Sequence, residues 1–572
     1  MPKIINRSFP ETDFSDVVPA LLRRIYAGRG VSCDDQVCYS LQSLLPPNSL
    51  QGLSKALDLL VDAFYDGKRL LIVGDFDADG ATSCALSVLA FRALGLKNVD
   101  FLVPNRFEYG YGLTPEIVHK AQDYHPDIIL TVDNGIASVE GVAEAKDLGL
   151  QVIITDHHLS PMKLPIADAI VNPNQSSCCF PSKHLAGVGV IFYVLCALRT
   201  RLRSEGWFSK SAVPEPNLTE FLDLVALGTV ADVVPMDHNN RILVYQGLQR
   251  IRAGRCRPGI LSLLAVAGKN FQNITSQDLG FILGPRLNAA GRLDDISIGI
   301  QCLLTDDHTE ALELATQLDD LNRDRRSIET VMQREATELL ASMSAQSTDM
   351  PWGLCLFNDQ WHQGVVGILA SRIKDKFHRP VIAFARAEDN TLKGSARSIP
   401  GLHIRDALDS VATMYPGVLT KFGGHAMAAG LTLEQGQYDT FSQGFDRVVR
   451  ERLCPQQLEQ IWEVDGELGS RDLKLETAQL LQTAGPWGQN FPEPLFRGRF
   501  LLVNQRIVGV KHLKLSLAHL DSPQTLIDAI AFNIDVTIWP NPEIDEVKIV
   551  YQLSINEFRG MQSLQLLVKY IE

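Results

Sequence analysis

Long apolar runs, not clean alternation, mark the first half of the chain. LLIVGD, KNVDFLVP, DIILTVD, QVIITD and ADAIVN each carry consecutive apolar residues, as strands buried on both faces do. Helical patterns such as GATSCALSVLAFRALG and SVEGVAEAKDLG stand between them. Strands alternating with helices predict an α/β fold with a doubly wound parallel sheet over residues 46–302. Residues 1–45 read as a polar lead-in with a short helix at LLRRIYAGRG. Residues 303–346 lack Gly and Pro and are rich in Glu, Leu, Arg and Ala, which predicts a long helical connector. A second α/β unit is expected over 347–454, with strands near GLCLF, PVIAFA and GLTLE. In the last part, 455–572, KHLKLSLAHL alternates polar and apolar positions, which suits a half-buried strand of a small β-barrel.

Composition adds bounds. The 572 residues are 45% apolar and 21% charged, an ordinary globular mix with room for three or four domains. No apolar run is long enough to span a bilayer, and MPKIINRSFPETDF lacks a signal-peptide pattern. None of the ten cysteines stands in a C-x-x-C pair, so neither a zinc ribbon nor a secreted disulfide frame is suggested. A cytoplasmic protein with no membrane partner is expected. The net charge of −14 weighs against a wholly basic nucleic-acid surface. Two local clusters, Arg250, Arg252, Arg255 and Arg257, then Arg323, Arg325 and Arg326, read either as solvated faces or as a basic groove.

The chemistry begins at GDFDADG, where Asp75, Asp77 and Asp79 crowd the end of the first strand. Like charges so placed repel unless a cation sits between them. A calcium loop of the EF-hand type needs Glu at its twelfth position, which here is Leu86. Other apolar segments also end in acids or histidines: Asp133 follows DIILTV, Asp156, His157 and His158 follow QVIIT, and Asp232 ends LVALGTVAD. Ligands of open parallel sheets sit outside the carboxyl ends of the strands. Carboxylates with imidazole and without thiolate suit Mn²⁺ or Mg²⁺, and so many anionic ligands fit two ions better than one. Such a pair suits phosphodiester hydrolysis. Neighbouring side chains diverge, so one of His157 and His158 should ligate while the other faces the substrate.

TDHHLS carries the signature of the DHH phosphoesterase superfamily, and the chain resembles its bacterial single-stranded-DNA exonucleases nearly throughout. GDFDADG, TVDNGIAS, TDHH, LGTVADVVPM, GPRLNAAGR, WHQGVVGILASR, GSARSIPG and FGGHAMAAG follow the order of that group, and GPWGQNFPEPLF resembles its approach to a nucleic-acid-binding barrel. The resemblance implies a DHH domain, a DHHA1 domain facing the metal site across a cleft, and a C-terminal OB-type barrel. It implies 5′-to-3′ release of mononucleotides from single-stranded DNA, in repair and recombination. Asp77, Asp79, Asp133, His157 and Asp232 would then ligate metal, with Asp133 bridging and Asp75 as a further or supporting ligand. Asp156 would orient His157, and His158 would contact the scissile phosphate. The group's usual tyrosine is Phe76 here, which removes a hydroxyl but no ligand.

Arg286, Asn288 and Arg292 in GPRLNAAGRL are candidate phosphate contacts. Ser395 and Arg397 in GSARS, with Gly423, Gly424 and His425 in GGHAMAAG, read as an anion nest opening into a helix. Arg372, Lys511, His512 and Lys514 are further DNA candidates. The resemblance also implies a monomer, with single-strand binding protein and a RecQ-type helicase as partners. Phosphatases of the superfamily that act on very short RNA or nucleoside bisphosphates lack the connector and barrel. The eukaryotic helicase-subunit relative has lost ligands that are all present here.

Overall fold

The computed structural model describes residues 2–105, 111–346, 350–387 and 390–572; the expected boundary at 347 lies outside the described residues. Two compact units emerge. One comprises Asn6–Asp319 with Glu463–Glu572, and the other centres on Asp320–Trp462.

The first unit is built on five parallel strands, β1 (Leu70–Gly74), β2 (Val99–Leu102), β3 (Ile128–Val132), β4 (Gln151–Thr155) and β5 (Ala169–Val171), in the order β2-β1-β3-β4-β5. Their apolar runs are buried almost completely because helices cover the sheet: every residue of β1 and β3 is buried. The order reverses between β1 and β3, and that switch point is where ligands of such sheets bind. Behind β1 the chain enters helix α1 (Ala78–Leu94), and further on it forms α2 (Gly187–Ser204) and α3 (Leu222–Ala231). LVALGTVAD, expected at a strand end, is therefore helical. It is apolar all round because it is buried.

The same unit carries a closed barrel of five strands, β11 (Phe496–Val508), β12 (His512–His519), β13 (Ser522–Ala531), β14 (Glu546–Phe558) and β15 (Met561–Ile571). They run β11-β12-β13-β15-β14, and all pairs but β13 and β15 are antiparallel. That is the order of an OB-type barrel. GPWGQNFPEPLF is a clasp beneath it. Trp487 stacks on Phe491 at 5.1 Å, and the Arg241 guanidinium lies 4.3 Å from the Phe491 ring centre. Arg29 of the N-terminal segment donates to Asp465 at 2.7 and 3.0 Å and to the Pro492 carbonyl at 2.7 Å. Both side chains of that ion pair are wholly buried.

The second unit holds a mixed sheet of β6 (Leu354–Phe357), β7 (Val381–Arg386), β8 (Thr391–Arg397), β9 (Lys421–Gly424) and β10 (Ala428–Glu434), ordered β9-β10-β8-β7-β6. Only β6 and β7 pair in parallel. Two of these strands correct the sequence reading. GSARS is the end of β8, and GGHAMAAG is a hairpin between β9 and β10 instead of a turn into a helix. Ala and Met favour helix locally, but pairing of Gly423 with Gly430 and Gly424 with Ala429 overrides that preference. The connector is one helix, His308–Gln346.

Removing one partner of a buried ion pair leaves the other charge uncompensated, at a cost of about 3–5 kcal/mol. Asp465→Asn should lower stability by about that amount in denaturant unfolding; a loss below about 0.5 kcal/mol would show that Arg29 is not what fastens the N-terminal segment.

Candidate metal centre

Each acidic side chain of the switch point is set by a backbone feature. Asp77 is the N-cap of α1, its Oδ1 accepting from the N–H groups of Asp79 at 2.9 Å and Gly80 at 3.1 Å. Asp79, in the first turn of that helix, is buried. Its Oδ2 accepts from Gly187 N–H at 2.6 Å and its Oδ1 from Val188 N–H at 2.9 Å, so it also anchors the first turn of α2. Gly187 permits this approach: a Cβ there would stand 2.5 Å from Asp133 Cβ and 2.6 Å from its Oδ1.

Asp133 has φ +62°, a left-handed conformation that a non-glycine residue adopts at a cost. Its neighbour Asn134 holds the turn, donating to the carbonyls of Val73 at 3.0 Å and Val132 at 2.9 Å across the tips of β1 and β3. Asp232 caps the end of α3, and Val233 after it has φ +60°.

Beyond β4, His157 Nε2 lies 3.1 Å from Asp133 Oδ1 and 3.4 Å from Asp232 Oδ2. The ring that Asp156 meets by a hydrogen bond is that of His158, Nδ1 to Oδ1 at 2.8 Å, where the resemblance implied the ring of His157. Asp156 meets His157 through that residue's backbone N–H at 2.7 Å, and its Oδ2 accepts from Ile136 N–H at 2.9 Å. Burial opposes charge on both partners, but their mutual attraction outweighs it. His158 is raised to about 9 and Asp156 is held below the usual carboxylate range.

Three groups of donor atoms lie within 4.8 Å of one another: Asp75 with Asp77 and Asp133, Asp79 with His157 and Asp232, and Asp133 with His157 and His158. Asp133 is shared by two of them. Burial first, then repulsion from neighbouring carboxylates, pushes Asp133 and Asp232 well above the usual carboxylate range. The same causes, burial first and then repulsion from Asp77, raise Asp79 to about 7. The cluster is therefore a poor home for ionised carboxylates alone and a good one for divalent cations, whose hard oxygen preference the donors match. The residues fit two such ions.

Other residues reach the centre without having been singled out in the sequence. The Tyr111 hydroxyl lies 3.3 and 3.4 Å from the two ring nitrogens of His158, and its ring meets Phe76 edge-on at 6.0 Å. Asn172 and Asn174 donate to the carbonyls of His158 and His157 at 2.9 and 2.5 Å. The asparagines of VNPN, at the end of β5, were the signal for these.

Helix α4 (Gly284–Leu293) supplies support more than contact. Asn288 Oδ1 accepts from Ala78 N–H at 2.8 Å, steadying the loop between β1 and α1. Arg286, expected as a phosphate fork, is buried and gives Nε and Nη2 to Asp319 at 3.0 and 2.8 Å and Nη1 to the Ile282 carbonyl at 2.7 Å. Arg292 is half-buried on the same helix. The 250–257 arginines are largely absorbed by the fold: Arg252 donates to the Ile274 carbonyl at 2.8 Å, and Arg257 pairs with Asp223 at 3.6 Å. On the barrel, Lys514 pairs with Asp528 at 2.9 Å, the His512 ring packs on Phe532 at 5.0 Å, and Lys511 is exposed.

In the second unit, Arg397 donates to Ser395 Oγ at 3.0 Å and to the Ala396 carbonyl at 2.8 Å. It has no carboxylate partner among the described residues, and burial lowers its pKa. Gly367, in the first turn of the helix Val366–Phe377, packs against it, a Cβ there falling 3.0 Å from Nη2. Arg372 on that helix is exposed and pairs with Glu329 at 2.8 Å. Gly423, Gly424 and His425 are exposed at the β9–β10 hairpin.

Family comparison agrees with this architecture. The DHH family, N-terminal domain, matches residues 69–229, the DHHA1 domain matches 351–451, and the RecJ OB domain matches 464–570. The single-stranded-DNA-specific exonuclease RecJ of Escherichia coli K12 is 55% identical over 566 residues, 99% of this chain and 98% of that protein. The chain belongs to the RecJ family. Among solved structures, RecJ of Thermus thermophilus in complex with Mn²⁺ superposes with a TM-score of 0.79 at 30% identity, covering 96% of this chain and 76% of that one. Its complex with Mg²⁺ gives 0.73 at 28% identity, covering 97% and 75%. Those RecJ crystals hold the two metals that the donor set here favours.

Gly187→Ala should drive Asp133 out of place. An expected loss of about 10- to 100-fold in Mn²⁺ affinity, by calorimetry, follows; unchanged affinity would mean that the close approach of α2 does not set Asp133.

Proposed function

We infer that this chain is a single-stranded-DNA-specific exonuclease that hydrolyses phosphodiesters with Mn²⁺ or Mg²⁺ and releases 5′-mononucleotides from the 5′ end. The observation that carries the reading is the cluster of buried carboxylates and His157 at the switch point, in a RecJ-family chain with a DHHA1 domain and an OB barrel. Asp75, Asp77 and Asp133 would hold one ion and Asp79, His157 and Asp232 the other, with Asp133 between them. When bound, the ions supply Lewis-acid charge to the phosphodiester.

The chain's own residues do the rest. Asp156 fixes His158 Nδ1, so the Nε2 proton points away from that bond. Held as a cation, His158 offers that proton to a phosphate oxygen. Arg397 and Ser395 form a second, separate grip for a DNA phosphate, supported by a half-buried guanidinium that meets no carboxylate among the described residues. Arg286 and Asn288 are positioning residues for the metal loop in this reading. The expected domain limits serve the same division of labour: metal chemistry in 46–302, a helical tether in 303–346, phosphate grip in 347–454 and strand tracking in 455–572. Single-strand binding protein and a RecQ-type helicase remain part of the proposal as partners that supply the unpaired strand, acting on a monomer in the cytoplasm.

A long single strand labelled in turn at its 5′ and 3′ ends should lose the 5′ label at once as a mononucleotide with Mn²⁺, and should survive intact in chelator. Survival in Mn²⁺, with rapid hydrolysis of a dinucleotide, would move the chain to the phosphatases of short RNA. His158→Ala should lower kcat by about 10²- to 10⁴-fold while Mn²⁺ still binds; equal loss of metal binding would make His158 a ligand. Asp133→Ala should abolish cleavage without unfolding the protein, as followed by circular dichroism, and full activity in that variant would remove its central role.

A further inference from the structure

The two histidines of the metal centre stand beyond the strand that delivers them. β4 ends at Thr155, so the peptides that carry His157 and His158 lie outside the ladder. Their N–H groups are held from one side: Asp156 Oδ1 accepts from His157 N–H at 2.7 Å and from His158 N–H at 3.0 Å. Their carbonyls are held from another side, by the segment that follows β5. Asn174 Nδ2 donates to the His157 carbonyl at 2.5 Å, and Asn172 Nδ2 donates to the His158 carbonyl at 2.9 Å.

That segment is itself tied down. Asn172 is fully buried, and its Oδ1 accepts from Asn174 N–H at 2.7 Å, closing a turn by its side chain. The Asn172 carbonyl accepts from Gln175 N–H at 3.3 Å, the Pro173 carbonyl from Lys183 Nζ at 2.7 Å, and the Asn174 carbonyl from Ser160 Oγ at 3.3 Å. Three consecutive carbonyls are bonded, and the ring of Pro173 restricts the backbone between the two asparagines. Asn172 needs a donor and an acceptor at once. An amide offers both, whereas an ionised carboxylate offers only acceptors.

Peptide planarity gives the two asparagines unequal reach. Each trans peptide is one rigid plate from Cα to Cα. The plate bearing the His157 carbonyl joins His157 to His158, so Asn174 orients both side chains. The plate bearing the His158 carbonyl runs on to Leu159, so Asn172 orients His158 and leaves His157 alone. We propose, on the reading of His157 as a metal ligand and His158 as the phosphate contact, that Asn172 and Asn174 are positioning residues with divided tasks. Asn174 aims the ligand and the phosphate contact together, and Asn172 aims the phosphate contact only.

The test pairs calorimetric titration of Mn²⁺ into the metal-free full-length chain with kcat for single-stranded DNA at saturating Mn²⁺. Wild type, Asn172→Ser and Asn174→Ala are compared, with folding followed by circular dichroism. Serine at 172 keeps a hydroxyl that accepts from Asn174 N–H, so the turn survives while the bond to His158 is lost. Asn172→Ser should lower kcat by about 10- to 100-fold and hold Mn²⁺ affinity within about two-fold of wild type. Asn174→Ala should lower both by about 10- to 100-fold. Asn174→Ser, equally short of the His157 carbonyl, takes its place if the alanine variant does not fold. Mn²⁺ affinity weakened equally at both positions would mean a general loosening of the segment and would overturn the division of tasks. So would an unchanged kcat in either variant, or unchanged Mn²⁺ affinity in the Asn174 variant. Wild type that binds Mn²⁺ but cuts no single strand would instead overturn the exonuclease reading, and the affinities would still show whether position 174 alone governs the metal.

Discussion

Repulsion among buried carboxylates is the constraint around which the first unit is organised. Asp75, Asp77, Asp79, Asp133 and Asp232 converge where water can do little to separate their charges. A fold would discard such a cluster unless cations made it favourable. The surrounding structure spends backbone strain and buried polar bonds to keep the acids in place. Asp133 sits in a left-handed turn stitched by Asn134, and Asp79 is fixed by the first two N–H groups of α2. The metal loop leans on Asn288, whose helix is in turn tied down by the buried Arg286–Asp319 pair.

Much of this was legible in the chain itself. Buried parallel strands announce themselves by unbroken apolar runs, and the side chain after such a strand falls at the sheet's open end. Asp75, Asp133 and His157 could therefore be placed near one another from pattern alone. Asp232 was harder. An apolar segment of ten residues is as consistent with a buried helix as with a strand, and the helix α3 was settled by packing on α1 and α2. What pattern cannot carry is the partner of a polar group. Nothing local tells that Arg286 faces Asp319, thirty-three positions away, or that Asp156 reaches the ring of His158. Tyr111 reaches His158 from a different loop, by a contact that only the tertiary fold creates.

Glycine-rich stretches misled in one place. GGHAMAAG combines residues that suit an anion-binding turn with residues that suit a helix, yet it forms a tight hairpin because small side chains let β9 and β10 pair closely. The neighbouring Arg397 lies half-buried beside Ser395 without an acidic partner among the described residues. In the barrel the aromatic residues of GPWGQNFPEPLF are spent on a structural clasp with Arg29 and Arg241, so that motif marks how the barrel is fastened.

The carboxylate cluster exists to hold two divalent ions. Isothermal titration of Mn²⁺ into the metal-free full-length protein tests it most directly, beside Asp133→Asn as the comparison. Two ions per wild-type chain are expected, with loss of at least one site when Asp133 can no longer carry charge. A wild-type chain that takes up no Mn²⁺, or an Asp133→Asn chain that binds it unchanged, would contradict the account.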